Sequence, residues 1–231
     1  MNEVLAPIYY IFSTDPAGDT LEDIEADSFF CVSHLMNEIS GCFIQKMDNW
    51  MLDTHNTIGR YQALLATIDK DIFLSFYTKN LDPRFYALRW LSLLFSQEFT
   101  LPDVLRLWDS LFGDEKRANG EGDFLLFFAC ALVVMIKDSI IDSDFGIVLH
   151  TLQNYPLEDI SRVIAKAKQL REATPVEALE PAALEKVIRK LTSNLTAVDD
   201  ALKKDELALK RVAEETRRKS LKQRLEHFTK K

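Results

Sequence analysis

Apolar residues recur at three- and four-residue intervals along most of the chain, the period of amphipathic helices. Ile58, Tyr61, Leu65, Ile68, Ile72 and Phe76 form one clean stripe, which predicts a helix from about 58 to Lys79. Phe29, Val32, Leu35/Met36, Ile39 and Phe43 predict another over roughly 25–45, with Thr20 as a cap ahead of it. Residues 3–12 read as a buried helix, Val4–Tyr10 at its heart. Residues 84–96 are apolar nearly all round and read as a helix buried on several sides. Pro102 suits a first helical position, predicting a helix over 102–112. Phe124–Lys137, Asp142–Asn154 and a stretch beginning at Pro156 complete a set of about eight helices. No alternating β-branched segment reads as a strand, so the predicted fold class is all-α, a helical bundle.

The last third changes character. Ala173–Pro181 carries two prolines and reads as a linker. Beyond it Leu184, Ile188, Leu191, Leu195, Val198 and Leu202 are spaced 4, 3, 4, 3 and 4, a heptad seam. Asp205 interrupts the seam, and Leu209 and Val212 resume it. The expected organisation is a body over 1–171, a linker over 172–181 and a long charged helix over 182–231. That helix fits a coiled coil or partner helix through 182–228, a helix folded back on the body, or a solvated one.

Charge narrows the partners. The net charge is −8, but residues 199–231 hold 11 Lys/Arg against 7 Asp/Glu, leaving −12 on residues 1–198. An acidic body argues against nucleic acid. The longest unbroken apolar run, Phe124–Ile136, has 13 residues, too few to span a bilayer. The first residues lack a basic leader, so no signal peptide is expected and any membrane role is peripheral. Cys31, Cys42 and Cys130 lie on apolar helical stretches and read as free, buried thiols of a reducing, cytoplasmic compartment.

Candidate chemistry is sparse. His34, His55, His150 and His227 stand apart, and there is no Cys/His cluster, so neither a metal nor a cofactor is expected. No phosphate-cradling or nucleophile-elbow motif occurs. The most specific stretch is FYALRWLSLLFSQEFTLPDVLRLWDSLF, residues 85–112. It sets Arg89, Glu98 and Asp109 among residues that should be buried, and buried charges need partners. Asp109, beside Trp108, is a candidate partner for Arg89 that would fix two helices together.

This stretch resembles the C-terminal half of the TBC domain of Rab GTPase-activating proteins. The frame consists of Arg89-Trp90, then SQEF with Glu98 and Phe99, then VLRLWDSLF with Trp108 and Asp109. EADSFFCVSHLMNEI resembles the helix upstream of it, and DFLLFFACALVVMI with LQNYPLEDISRVIAKAKQL resembles the closing helices. The likeness covers roughly residues 1–171. It implies an all-helical fold and a regulator of Rab GTP hydrolysis in vesicle trafficking, not itself an enzyme. Family members use two inserted residues: an arginine from I-x-x-D-x-x-R, and a glutamine from Y-x-Q. An arginine of this kind is worth roughly 10³–10⁵ in rate.

Neither motif occurs in these 231 residues. Arg106, Arg117 and Arg162 each have Asp three before them, but Thr100, Leu111 and Pro156 stand where isoleucine belongs. The family's glutamine motif continues as G-M-N-E, so Met1-Asn2-Glu3 aligns just beyond it. The resemblance therefore implies that Asn2 and Glu3 are what remains of that motif, helping to seat a finger loop. A purely structural role for the two is equally open. The expectation is the C-terminal part of a Rab GTPase-activating protein, acting on a Rab-family small GTPase, inactive alone for lack of both fingers. The alternative is a non-catalytic helical adaptor that binds partners through the TBC remnant and the tail. The expected location is cytoplasmic, peripheral on intracellular membranes.

Overall fold

The computed structural model describes residues 2–16, 20–39, 57–114 and 124–175, with a few helical positions between 186 and 193. Ten α-helices and one 3-10 turn are described: α1 (Asn2–Thr14), α2 (Leu21–Ile39), α3 (Thr57–Ile68), α4 (Lys70–Thr78), the 3-10 turn Pro83–Phe85, α5 (Ala87–Ser92), α6 (Leu101–Phe112), α7 (Phe124–Met135), α8 (Lys137–Ile140), α9 (Phe145–Gln153) and α10 (Ile160–Ala173). No strand occurs among the described residues. The chain divides into two compact units, 1–188 and 189–231. The expected helix over 182–228, with its heptad seam, lies almost wholly outside the described residues.

α7 is the axis of the first unit. Its sequence, FLLFFACALVVM, has no polar face, and Phe124 through Val133 are all buried. A helix apolar all round must be covered on every side. α10 lies along it, α3 and α5 pack on it, and α6 joins from the α10 side. Trp90, Tyr61, Tyr86, Phe95, Phe127 and Phe128 are the largest fully buried side chains. α1 and α2 pair with each other, and α1 touches α6.

Several boundaries differ from the periodicity, each for a local reason. The stripe predicted as one helix over 58–79 is two. Asp69 leaves helical geometry (φ −144°), and its carboxylate accepts the amides of Asp71 and Ile72, both at 3.1 Å, starting α4 anew. Lys137 holds the same carboxylate at 2.7 Å. The helix predicted over 84–96 shrinks to α5, because Leu94 (φ 49°) and Phe95 (φ 62°) turn left-handed. The stretch predicted to begin at Pro156 becomes helical only at Ile160, where Asp159 caps it through the Ser161 amide at 2.8 Å.

α2 begins at Leu21, earlier than expected. Thr20 hydroxyl donates to Asp23 carboxylate at 2.6 Å, and the Asp23 amide donates back to Thr20 at 3.3 Å, a reciprocal cap. Its inward face keeps Val32, Leu35 and Met36 of the expected stripe but not Phe29. Ser28 and Leu35 are buried, whereas Phe29 and Phe30 stand 64% and 68% exposed, and Cys31 is exposed too. Cys130 is buried as expected, and burial pushes its thiol pKa well up. α1 is half-buried rather than buried: Val4, Pro7 and Ile8 face inward, while Leu5, Tyr9, Tyr10 and Ile11 are exposed.

Candidate functional site

The 85–112 stretch folds as a short helix, a left-handed reversal and an amphipathic helix. α6 has Thr100 ahead of it in extended conformation and Pro102 in its first turn. Thr100 hydroxyl donates to Asp103 at 2.6 Å. Val104, Leu107, Trp108 and Leu111 fall on one face and are buried. The reversal between α5 and α6 occupies a conformation normally given to glycine, at about 1–2 kcal/mol per non-glycine residue. Packing and hydrogen bonds hold it there. Phe95 is fully buried, edge-on to Phe128 at 4.9 Å between centroids and stacked on Phe99 at 5.8 Å. The Phe95 amide donates to the Trp90 carbonyl at 2.9 Å. Trp108 donates its indole N–H to the Leu94 carbonyl, also at 2.9 Å.

Arg89 pairs with Glu98, not with Asp109. Its Nε donates to Oε1 at 2.5 Å and its Nη2 to Oε2 at 2.9 Å, a bidentate fork. The same Nη2 reaches the Gln153 carbonyl at 3.2 Å, and the Gln153 amide donates to the Phe85 carbonyl at 2.9 Å. The knot ties α5, the reversal and the end of α9. Glu98 side chain is 3% exposed and Arg89 45%. The expected Arg89–Asp109 link fails on geometry: Glu98 lies nine residues on, and the left-handed reversal folds it back onto Arg89. Asp109 is instead exposed on α6. Trp90 is wholly buried, and its indole nitrogen has no hydrogen-bond partner among the described residues.

Arg89, Trp90, Glu98, Phe99 and Trp108 are thus brought together as a packed scaffold. Asn2 and Glu3 are elsewhere, exposed on the first turn of α1. Of the other arginines weighed above, Arg106 is exposed on α6, Arg162 pairs with Glu158 at 3.0 Å, and Arg117 lies outside the described residues.

Two features have no counterpart in the sequence reading. Asp114, just after α6, accepts from Arg171 of α10 at 2.5 Å, and that guanidinium lies 5.1 Å over the Phe124 ring. An Asp following a helix and an Arg 57 residues later give no local signal. The second is an apolar groove of about 1140 Å³ between α1, α2 and α6. Ile8, Ile11, Phe12, Phe30, Leu35, Leu105, Trp108 and Phe112 line it, with Cys31, His34, Asp109 and Asp114. Among the described residues no group of three or more His, Cys, Asp or Glu could hold a metal ion. No described helix is long and apolar enough to cross a membrane.

Residues 1–141 match the Rab-GTPase-TBC domain. TBC1 domain family member 13 of Homo sapiens is 40% identical over 173 residues, covering 75% of this chain and 42% of that protein. A TBC domain-containing protein of Schizosaccharomyces pombe is 31% identical over 178 residues, 71% of this chain and 28% of its own length. The chain therefore spans less than half the length of either relative. The crystal structure of the Ypt/Rab-GAP domain of Gyp1p superposes with a TM-score of 0.60 at 22% identity, covering 74% of this chain and 58% of that one. That likeness establishes the helical fold. The family match covers more than half of these residues, and the chain belongs to the Rab-GTPase-TBC domain family.

Proposed function

We propose that this chain works with a Rab-family small GTPase, as the C-terminal part of a Rab GTPase-activating unit, and that these 231 residues do not accelerate hydrolysis by themselves. The observation carrying this reading is the family match over 1–141 on a chain with no I-x-x-D-x-x-R and no Y-x-Q. Stimulated phosphoryl transfer depends on positioned charge. Arg89, the most conspicuous arginine of the matched frame, is engaged by Glu98 and the Gln153 carbonyl. Its role in this reading is to shape the α5–α6 corner. Residues 1–171 are the GTPase-facing body and 182–228 a helix for self-association or a partner. Asn2 and Glu3 mark where a finger loop would join, and contact with membranes is peripheral.

Single-turnover GTP hydrolysis by a panel of purified Rab proteins, with and without the full chain, tests the reading. The expected result is an unchanged intrinsic rate, together with retention of at least one Rab bearing a GTP analogue on the immobilised chain. Acceleration of about tenfold or more would refute the finger-less reading, since an arginine finger alone supplies at least that. Arg117→Ala is then the first variant to make. Failure of every Rab to bind would refute the partner assignment.

A further inference from the structure

A small pocket of about 140 Å³ lies between α3, α4 and the start of α5. Leu65 and Leu81, both buried, belong to its lining, and four aromatic rings make most of the rest. Phe73 and Tyr77 stack at 6.2 Å between centroids, and Phe76 meets Tyr86 edge-on at 6.2 Å. Among these walls sits one buried acceptor: Gln62 Oε1 has no hydrogen-bond partner among the described residues. Asn80 is the one exposed side chain of the lining, so the pocket opens beside it. Both ends of α4 are fixed. Asp69 caps the first turn. At the other end Lys79 Nζ donates to the Ser75 hydroxyl at 2.6 Å and to the Ile141 carbonyl at 2.8 Å. The Leu81 amide donates to the Phe76 carbonyl at 2.9 Å, which holds Asn80 in its left-handed turn (φ 53°). The walls are therefore set before any guest arrives.

We propose that this pocket binds a single aromatic ring bearing one N–H or O–H donor, the chemistry of a phenol or an indole. Size sets the ring: a cavity of about 150 Å³ takes benzene, whereas drug-sized ligands need roughly 300 Å³ or more. The walls set its kind, because aromatic side chains favour a flat guest in edge-on or offset contact. Gln62 sets the donor. A buried carbonyl left without a hydrogen bond is costly, so a guest that supplies one is preferred over the same ring without it. Water is a poor substitute, since a buried water wants about two to four polar partners and this lining is mostly aromatic and aliphatic. The inference does not rest on the GTPase reading, and its test involves no GTPase.

The full chain is titrated with para-fluorophenol, followed by fluorine NMR. The controls are fluorobenzene and para-fluoroanisole, which keep the ring and lose the donor. The phenol should saturate with a Kd on the order of 1 mM, the range open to so small a guest, and about tenfold below that of either control. Gln62→Leu, similar in volume, should bring all three to equal affinity. Gln62→Phe should fill the pocket with its own ring and abolish binding of all three, while urea unfolding checks that each variant is folded. N-acetyl-tyrosinamide, observed by proton NMR, separates two sources of such a ring. Binding as tight as that of the phenol assigns a tyrosine side chain of a partner protein, and exclusion assigns a free small molecule. Equal affinity for para-fluorophenol and fluorobenzene, or a preference that survives Gln62→Leu, would overturn the inference. So would a lack of saturation up to about 10 mM, which would leave the pocket to water only.

Discussion

The Arg89–Glu98 pair is lopsided, and its two halves should not be equally expensive to remove. Glu98 is 3% exposed while Arg89 is 45% exposed. Replacing Arg89 by Met keeps the stem that packs on the corner but strands a carboxylate in the interior. Two charge-assisted hydrogen bonds, of about 1.5–3 kcal/mol each, are lost. Full burial of such a broken pair costs about 3–5 kcal/mol, and the half-open Arg89 side lowers this to about 3 kcal/mol. Replacing Glu98 by Leu leaves a guanidinium that can swing into water and keep its bond to Gln153, so the loss should be about 1 kcal/mol. The double variant removes both charges and should fall near the Glu98→Leu value, recovering about 2 kcal/mol of the Arg89→Met loss. Urea unfolding followed by tryptophan fluorescence reads this directly. With a slope of about 2 kcal/mol per molar, Arg89→Met should lower the midpoint by about 1.5 M and Glu98→Leu by about 0.5 M. Equal losses, or a double variant worse than Arg89→Met, would refute the asymmetry.

Two further outcomes are expected. Asp69→Ala should cost about 1–2 kcal/mol in thermal or urea unfolding by removing the cap of α4. Asp69→Asn should cost less and lessen the salt dependence of stability, because it keeps the cap and loses only the charge facing Lys137. Alkaline pH should unfold the protein through its buried phenols. Burial raises the Tyr61 and Tyr86 hydroxyls well above the ordinary range, and Tyr155 is pushed up to about 12. Their folded pKa values lie above the unfolded ones, so the stability they carry is complete below about pH 10. It is then lost as pH rises through the folded values, at up to about 1.4 kcal/mol per pH unit for each tyrosine. Urea midpoints between pH 8 and 11 should hold steady and then drop, and the Tyr61→Phe/Tyr86→Phe chain should drop less steeply.

The helical class and the central helix were legible because α7 has no polar face at all, a pattern that admits only burial. α6 was legible to within a residue, since Pro102 and the Val104–Leu107–Trp108–Leu111 face agree. The break at Asp69 was not, because an unbroken apolar stripe runs straight across it. Only the aspartate followed by Lys70-Asp71 hints at a new cap. The reversal at Leu94-Phe95 was hidden for the opposite reason. Both residues are bulky, and the left-handed stop that glycine would announce is enforced by aromatic packing and the Trp108–Leu94 hydrogen bond. That hidden reversal is why the expected Arg89–Asp109 pairing failed. A straight helix through 96 would have carried Glu98 away from Arg89.

The same reasoning separates scaffold from surface. Periodicity marks which residues of α2 are apolar but cannot say which apolar stripe is covered. Phe29 reads as core by spacing but stands exposed, whereas Leu35 of the same stripe is buried, together with Ser28. The charged residues that drew notice in the sequence, Arg89 and Glu98, neutralise each other inside the corner they stabilise. Asp114, just after α6, is likewise neutralised, by Arg171 of α10. A charge that is paired within the fold holds the fold together.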